Sequence, residues 1–116
     1  MTEEGHSQAL EELRSARAQL SRSEHIRAYA ELSFGIAFHL LSIGAQRRFS
    51  VHRDNHEGLG RWLRERGQGD AAQILAQLES LRTGRWYGRQ GNGATAETLD
   101  EFLARLEAWA LAETSP

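Results

Sequence analysis

A polar segment in the middle of the chain, residues 52–56 (HRDNH), has the residue types of a metal site. It places His52 and His56 four residues apart, a spacing that brings both imidazoles to one side of a helical turn. The zinc-peptidase pattern needs Glu directly after the first His, but Arg53 stands there. Only general carboxylates nearby could add a further ligand. We therefore expect loop or capping histidines and no metal site.

The same region contains the residue types of a metal-independent ribonuclease. Such an enzyme uses a His with a pKa near neutrality as acid or base and an Arg that holds the scissile phosphate. Arg47 and His52 have four residues between them, and Arg48 and His56 lie close by in sequence. About two matches to Arg-x4-6-His are expected by chance in a chain with this many arginines and histidines. Arg47 and His52 are the candidate catalytic pair if the chain is an enzyme.

Other catalytic arrangements are absent from the sequence. No Gly-x-Ser-x-Gly turn presents a nucleophilic serine, and the lack of Cys excludes disulfides, thiolate metal sites and cysteine nucleophiles. The segment 88–93 (GRQGNG) is rich in glycine like a phosphate-binding loop. It lacks the Gly-Lys-Ser/Thr ending and lies between two predicted helices, so we interpret it as a flexible connection.

Arg82 is the most informative charged residue in the second half of the chain. It follows Leu78 by four residues, so its stem is predicted to run along the core side of a helix. Two interpretations stay open. In the first, Arg82 forms an ion pair, with Glu31 or Asp54 as candidates, because an unpaired buried charge is costly. In the second, the guanidinium of Arg82 lies beside the two aromatic residues at positions 86 and 87 and holds a phosphate or a base.

Periodic apolar residues predict five helices, and no segment alternates for long enough to form a strand. The second helix is apolar nearly all round and is predicted to be central, with Gly44 as its stop. A loop with some helical content is expected over 45–55. Asp70 and Thr95 are predicted N-caps of the last two helices. The predicted helices span about 7–23, 24–43, 56–66, 70–85 and 95–112.

The predicted helices are joined by short connections. Such connections predict an all-α fold, an up-and-down antiparallel bundle of four to five helices. The 116 residues suffice for one domain, 1–116, with an ordered core over about 8–112 and flexible termini. The longest apolar run, 32–43, is short of the roughly 20 residues of a membrane helix, and no signal peptide is recognised. We expect a cytoplasmic protein. The formal charge of −2 does not indicate nucleic acid, and the fourteen basic residues, all Arg, are spread along the chain.

The order of these features resembles the HEPN superfamily of small helical bundles. The residues that carry the resemblance are an Ala-Leu-x2-Leu-x2-Ala first helix, Tyr29 near the start of the central helix, His56 at the start of the third, and Arg82-x4-Tyr87 near the end of the fourth. The resemblance covers about residues 8–112, through motifs that are individually short.

The resemblance implies a bundle that is commonly a homodimer, often paired with a minimal nucleotidyltransferase or acting in toxin–antitoxin and defence systems. Many members are metal-independent ribonucleases with Arg-x4-6-His in the second half of the bundle, assembled across the dimer. Here the single match, Arg47 with His52, precedes that half, and no His follows Arg82. The expected function is therefore a non-catalytic, homodimeric binding or regulatory module without a cofactor, for a nucleotide, RNA or a nucleotidyltransferase partner.

The residues expected to bind are the four that match the family pattern: Tyr29, His56, Arg82 and Tyr87. The alternative is a metal-independent endoribonuclease toxin that uses Arg47 and His52. A third hypothesis is a structural subunit whose last helix buries the near-heptad stripe over 99–109 against a second copy or another protein.

Overall fold

A computed structural model describes residues 2–22, 24–51, 57–84 (the backbone alone at 81–84) and 96–112. Within these ranges all regular elements are helices, which confirms the predicted all-α bundle. The helices are α1 (Glu3–Ala18), α2 (Ile26–Phe49), α3 (Leu59–Glu65), α4 (Gly69–Gly84) and α5 (Ala96–Leu111).

The helix α2 lies at the centre of the bundle, as its apolar composition predicted. It packs against α1, α4 and α5, and half of its 24 residues are buried. Each fully buried Leu or Ile contributes about 1.5–3 kcal/mol through the hydrophobic effect, so this helix supplies much of the folding free energy. Its fully buried large aliphatic side chains are Ile36, Leu40, Leu41 and Ile43.

The predicted stop of this helix at Gly44 is wrong, because α2 continues to Phe49. A Cβ atom at position 44 would lie 2.2 Å from Cζ3 of Trp109 on α5. The glycine is therefore required where an indole ring packs directly on the backbone of α2. Residues 45–49, predicted to begin a loop, form the end of the helix, and Ser50 closes it in a left-handed conformation with φ 56°.

The first helix begins earlier than the sequence predicted. Its N-cap is Thr2, whose Oγ1 accepts a hydrogen bond from the backbone N–H of Gly5 at 3.0 Å. Glu3 and Glu4 occupy the first turn, where carboxylates stabilise the positive end of the helix dipole. The helix therefore extends to residue 3, and its predicted start at 7 was too late.

The fourth helix also begins one residue early. Since α4 starts at Gly69, Asp70 lies in its first turn and is not the predicted N-cap. The carboxylate still interacts favourably with the helix dipole from that position. Thr95, the predicted cap of α5, lies outside the described residues.

By length and composition alone, α2 could cross a membrane, because its most apolar window has a mean hydropathy of 1.3. The apolar run over 32–43 understated the length of this helix, which continues past Gly44. However, 67% of the window is buried inside the bundle, as in the core helix of a protein that does not span a membrane. Cytoplasmic localisation stays a prediction.

Candidate functional site

A carboxylate at one end of the bundle accepts hydrogen bonds from three side chains of other elements. Asp100 on α5 accepts from the Tyr29 hydroxyl at 2.5 Å, from Nη1 of Arg17 at 3.1 Å and from Nη2 of Arg22 at 2.7 Å. Arg17 is on α1, Arg22 is in the following turn, and Tyr29 is on α2. One acidic residue thus connects three helices.

Two further contacts complete this group, which we call the Asp100 network: Arg17, Arg22, Tyr29, Ser33 and Asp100. Arg17 donates a second hydrogen bond to Oγ of Ser33 at 3.1 Å, and that hydroxyl donates to the backbone carbonyl of Tyr29 at 2.7 Å. The guanidinium carbon of Arg17 also lies 4.7 Å from the centroid of the Tyr29 ring. The polar groups of the network therefore satisfy one another, which is the pattern of a structural connection.

The surroundings of Tyr29 keep its hydroxyl protonated at neutral pH. Burial raises the pKa of this hydroxyl above its ordinary value of 10.0, the hydrogen bond to Asp100 raises it further, and the charge of Arg17 opposes both effects. A neutral phenol acts here as a hydrogen-bond donor. The sequence predicted Tyr29 as a binding residue, and the structure shows its hydroxyl engaged inside the protein.

The candidate catalytic residue Arg47 lies far from Tyr29. Eighteen residues of one helix separate them, or about 27 Å at 1.5 Å per residue. Arg47 is exposed, and its Nε donates to Glu3 at 2.5 Å, which connects the end of α2 to the start of α1. The other predicted site residues, namely His52, His56, Tyr87 and the side chain of Arg82, lie outside the described residues.

Arginines concentrate at the opposite end of α2, in what we call the arginine-rich end, residues 46–51 and 57–70. It comprises the last turn of α2, α3 and the turn into α4. Five arginines stand there against three acidic residues, whereas the remaining described residues contain six arginines and eleven acidic residues. These two ranges thus carry more arginines than acidic residues, whereas the other described residues are acidic in sum; of the latter, Glu3 also lies at this end, where it pairs with Arg47. Sequence reasoning missed the difference because it considered the whole-chain charge.

Two guanidinium groups of this end lie over tryptophan rings. Arg66 is 4.3 Å from the centroid of Trp62, and Arg48 is 4.7 Å from that of Trp109. Cation–π contacts of this kind contribute about 0.5–1 kcal/mol at exposed sites and more when desolvated. Phe49 meets Trp62 edge-on with centroids 5.3 Å apart, which fixes that ring.

The environment of Arg48 is unusual for a charged side chain. The residue is half-buried, and its Nη1 atom has no contact with solvent and no hydrogen-bond partner among the described residues. Its Nε donates to Oε1 of Gln68 at 3.3 Å, and the same oxygen accepts from Nε1 of Trp109 at 2.8 Å. Burial lowers the pKa of the Arg48 guanidinium.

A pair of histidines connects α1 to α2. Nδ1 of His6 and Nδ1 of His39 lie 2.8 Å apart, so one of the two nitrogens carries the hydrogen that the other accepts. His6 is 5% exposed. This pair could not be expected from the sequence, because the predicted first helix begins after His6. In the ranges that the structure covers, no three side chains of His, Asp or Glu come together as a metal site would require.

The near-heptad stripe of α5 packs inside the chain itself. Leu99, Leu103, Leu106 and Ala110 are each 5% exposed or less and belong to the core. The stripe is thus not available as a face for a second copy. Comparisons with protein families, with curated proteins and with solved structures gave no significant match to the chain.

Proposed function

We propose that the chain is a HEPN-like bundle that acts as a non-catalytic, homodimeric binding module for RNA, with the arginine-rich end as its binding surface. The observation that carries this proposal is the concentration of arginines at this end, where five of them stand in two short segments with three acidic residues. A local positive surface attracts a polyanion even when the net charge is slightly negative.

The residue types at this end suit single-stranded RNA. Arg61, Arg64 and Arg66 are exposed, and guanidinium groups form bidentate contacts with phosphate oxygens. Trp62 is half-buried and offers an aromatic ring near these charges, as in proteins that stack unpaired bases. The guanidinium carbon of Arg66 lies 4.3 Å from the centroid of this ring, so a base that stacks on the same face takes the place of Arg66.

The contact between Arg47 and Glu3 supports a function without ribonuclease activity. In an Arg–His ribonuclease this side chain would contact the scissile phosphate, but here its Nε is engaged by the carboxylate of Glu3. The endoribonuclease alternative with His52 is a second proposal that this contact disfavours. A nucleotidyltransferase partner and a role in toxin–antitoxin or defence systems rest on the resemblance to HEPN proteins.

The binding proposal is tested by fluorescence anisotropy with a labelled single-stranded RNA, titrated at several salt concentrations. We expect Arg61→Glu/Arg64→Glu to weaken binding by about tenfold or more, because two phosphate contacts become repulsive. The matched control is Arg27→Glu/Arg105→Glu, which reverses two exposed arginines outside the arginine-rich end. Equal loss in both double variants, or no binding by the unaltered chain at low salt, would overturn the proposal.

The homodimer is tested separately by light scattering after gel filtration. A dimer gives twice the chain mass of 13.0 kDa. A single-chain mass at the concentration used for RNA binding would remove the dimer from the proposal and leave the RNA-binding surface to the anisotropy experiment.

A further inference from the structure

We propose that Arg48 forms an oxyanion subsite within the arginine-rich end and that it binds a phosphate group. This inference rests on the proposed RNA-binding function and deepens it, because it names the chemical group that one half-buried arginine recognises. The geometry around Arg48 carries the inference. Its guanidinium is fixed by neighbouring side chains, and it has no carboxylate partner among the described residues.

The guanidinium of Arg48 is held from two sides. Gln68 accepts a hydrogen bond from its Nε, and the ring of Trp109 lies against its face at 4.7 Å. Trp109 is itself held, because its Nε1 donates to the same Gln68 oxygen and its ring packs on the backbone at Gly44. A cation held in this way loses little conformational entropy when it binds a ligand.

Arg48 also has no anionic partner among the described residues. Four arginines of the described residues, Arg14, Arg17, Arg22 and Arg47, have carboxylate partners within 4.0 Å, and Arg48 is not among them. The nearest arginine in sequence, Arg47, takes Glu3. A desolvated charge without a partner is costly, so an anion that reaches the Nη atoms of Arg48 gains the interaction that the protein does not supply.

Phosphate fits this position better than a simple halide ion. The planar guanidinium presents parallel N–H donors that match two oxygens of one phosphate group. Because Gln68 already accepts from Nε, the Nη groups are the donors left for such an oxygen, and Nη1, which is shielded from solvent, becomes reachable only when the groups that cover it move. The phosphate could belong to an RNA strand or be inorganic, and the experiment separates these sources.

The test follows the indole N–H signal of Trp109 by NMR, assigned through Trp109→Phe, while inorganic phosphate is added at constant ionic strength against chloride. We expect a saturable shift with phosphate that is absent with chloride. Arg48→Gln should abolish the shift. The matched control Arg27→Gln, which removes an exposed arginine outside the arginine-rich end, should retain it. A shift that chloride reproduces, or that Arg48→Gln retains, would overturn the subsite.

The source of the phosphate is decided by competition with RNA. If the subsite takes an RNA phosphate, a labelled strand and inorganic phosphate compete, and Arg48→Gln weakens RNA binding several-fold. If phosphate shifts the Trp109 signal without displacing RNA, the subsite binds free phosphate. RNA binding that depends on Arg61 and Arg64 with no phosphate effect at Trp109 would overturn this inference alone. A phosphate effect without RNA binding would overturn the proposed function alone.

Arg48→Gln is expected to fold, and thermal unfolding in chloride checks this directly. A second variant, Arg48→Lys, keeps the positive charge but not the planar donors, and should lose most of the phosphate-induced shift. If Arg48→Lys responds to phosphate as fully as the unaltered chain, the guanidinium is not the recognition element and the proposal fails.

Discussion

The hydroxyl of Tyr29 donates to Oδ1 of Asp100 at 2.5 Å, and this contact connects the first turn of α2 with α5. The two residues are 71 positions apart in the chain. Because Asp100 also accepts from Arg17 and Arg22, its carboxylate replaces the solvent contacts of three donors at once. The stability of this end of the bundle therefore depends on one acidic side chain.

Replacement of Asp100 by Ala should destabilise the protein by about 2–3 kcal/mol, because a buried hydroxyl and a mostly buried guanidinium lose their acceptor. The side chain of Asp100 is 36% exposed, which limits the loss through solvation of the freed groups. Urea unfolding measures the change. The matched control is Glu101→Ala at the exposed neighbouring position, which should change stability by less than about 0.5 kcal/mol. Equal effects of the two variants would contradict the role of Asp100.

The raised pKa of Tyr29 predicts a loss of stability in alkaline solution. Since the folded protein holds this proton more tightly than the unfolded chain, its contribution is fully present below pH 10.0 and is lost as pH rises through the folded-state pKa. The chain has no Lys to titrate in the same range. Tyrosinate absorbance and unfolding should both show Tyr29 ionising above pH 10.0. Tyr29→Phe should remove the later absorbance change and flatten the stability profile, and an unchanged profile would refute the prediction.

The helix count and the central place of α2 could be predicted because apolar periodicity reports directly which faces are buried. The end of α2 could not, since Gly44 has two uses that a sequence does not distinguish. Glycine stops a helix through its conformational freedom, and it also admits a close neighbour through its missing Cβ. Only the position of Trp109, 65 residues later, decides between them.

The candidate site was less predictable for a related reason. Tyr29 was named as a binding residue because it matches the family pattern. Its partner Asp100 is a polar residue of α5, and the periodicity of that helix identifies only its apolar residues. The pairing of Arg48 with Trp109 likewise depends on how α2 and α5 meet. Periodicity identifies the buried face of each helix but not the residue that faces it on the neighbouring helix. Contacts between polar side chains that are distant in sequence can therefore be read only from the packed structure.

Replacement of Gly44 by Ala should destabilise the protein by about 1–3 kcal/mol, because the added Cβ would lie 2.2 Å from the Trp109 ring. The matched control is Gly60→Ala in α3, where nothing lies within 4 Å and the higher helix propensity of Ala should stabilise by about 0.5–1 kcal/mol. Thermal unfolding compares both with the unaltered chain. Combining Gly44→Ala with Trp109→Leu should recover part of the loss, and strictly additive effects would show that the two positions do not clash.

The last prediction separates the binding module from the enzyme. Because Arg47 is held by Glu3, we expect no cleavage of labelled RNA by the unaltered chain in EDTA, which removes contaminating metal-dependent nucleases. His52→Ala and His56→Ala are assayed beside it, each after a check that it is folded. Cleavage that His52→Ala abolishes and His56→Ala retains would identify His52 as the acid or base of a metal-independent ribonuclease. A non-catalytic module requires that none of the three proteins cleaves RNA while RNA binding stays intact. The arginines of the arginine-rich end can hold a phosphate even when no residue is placed to act as general acid or base.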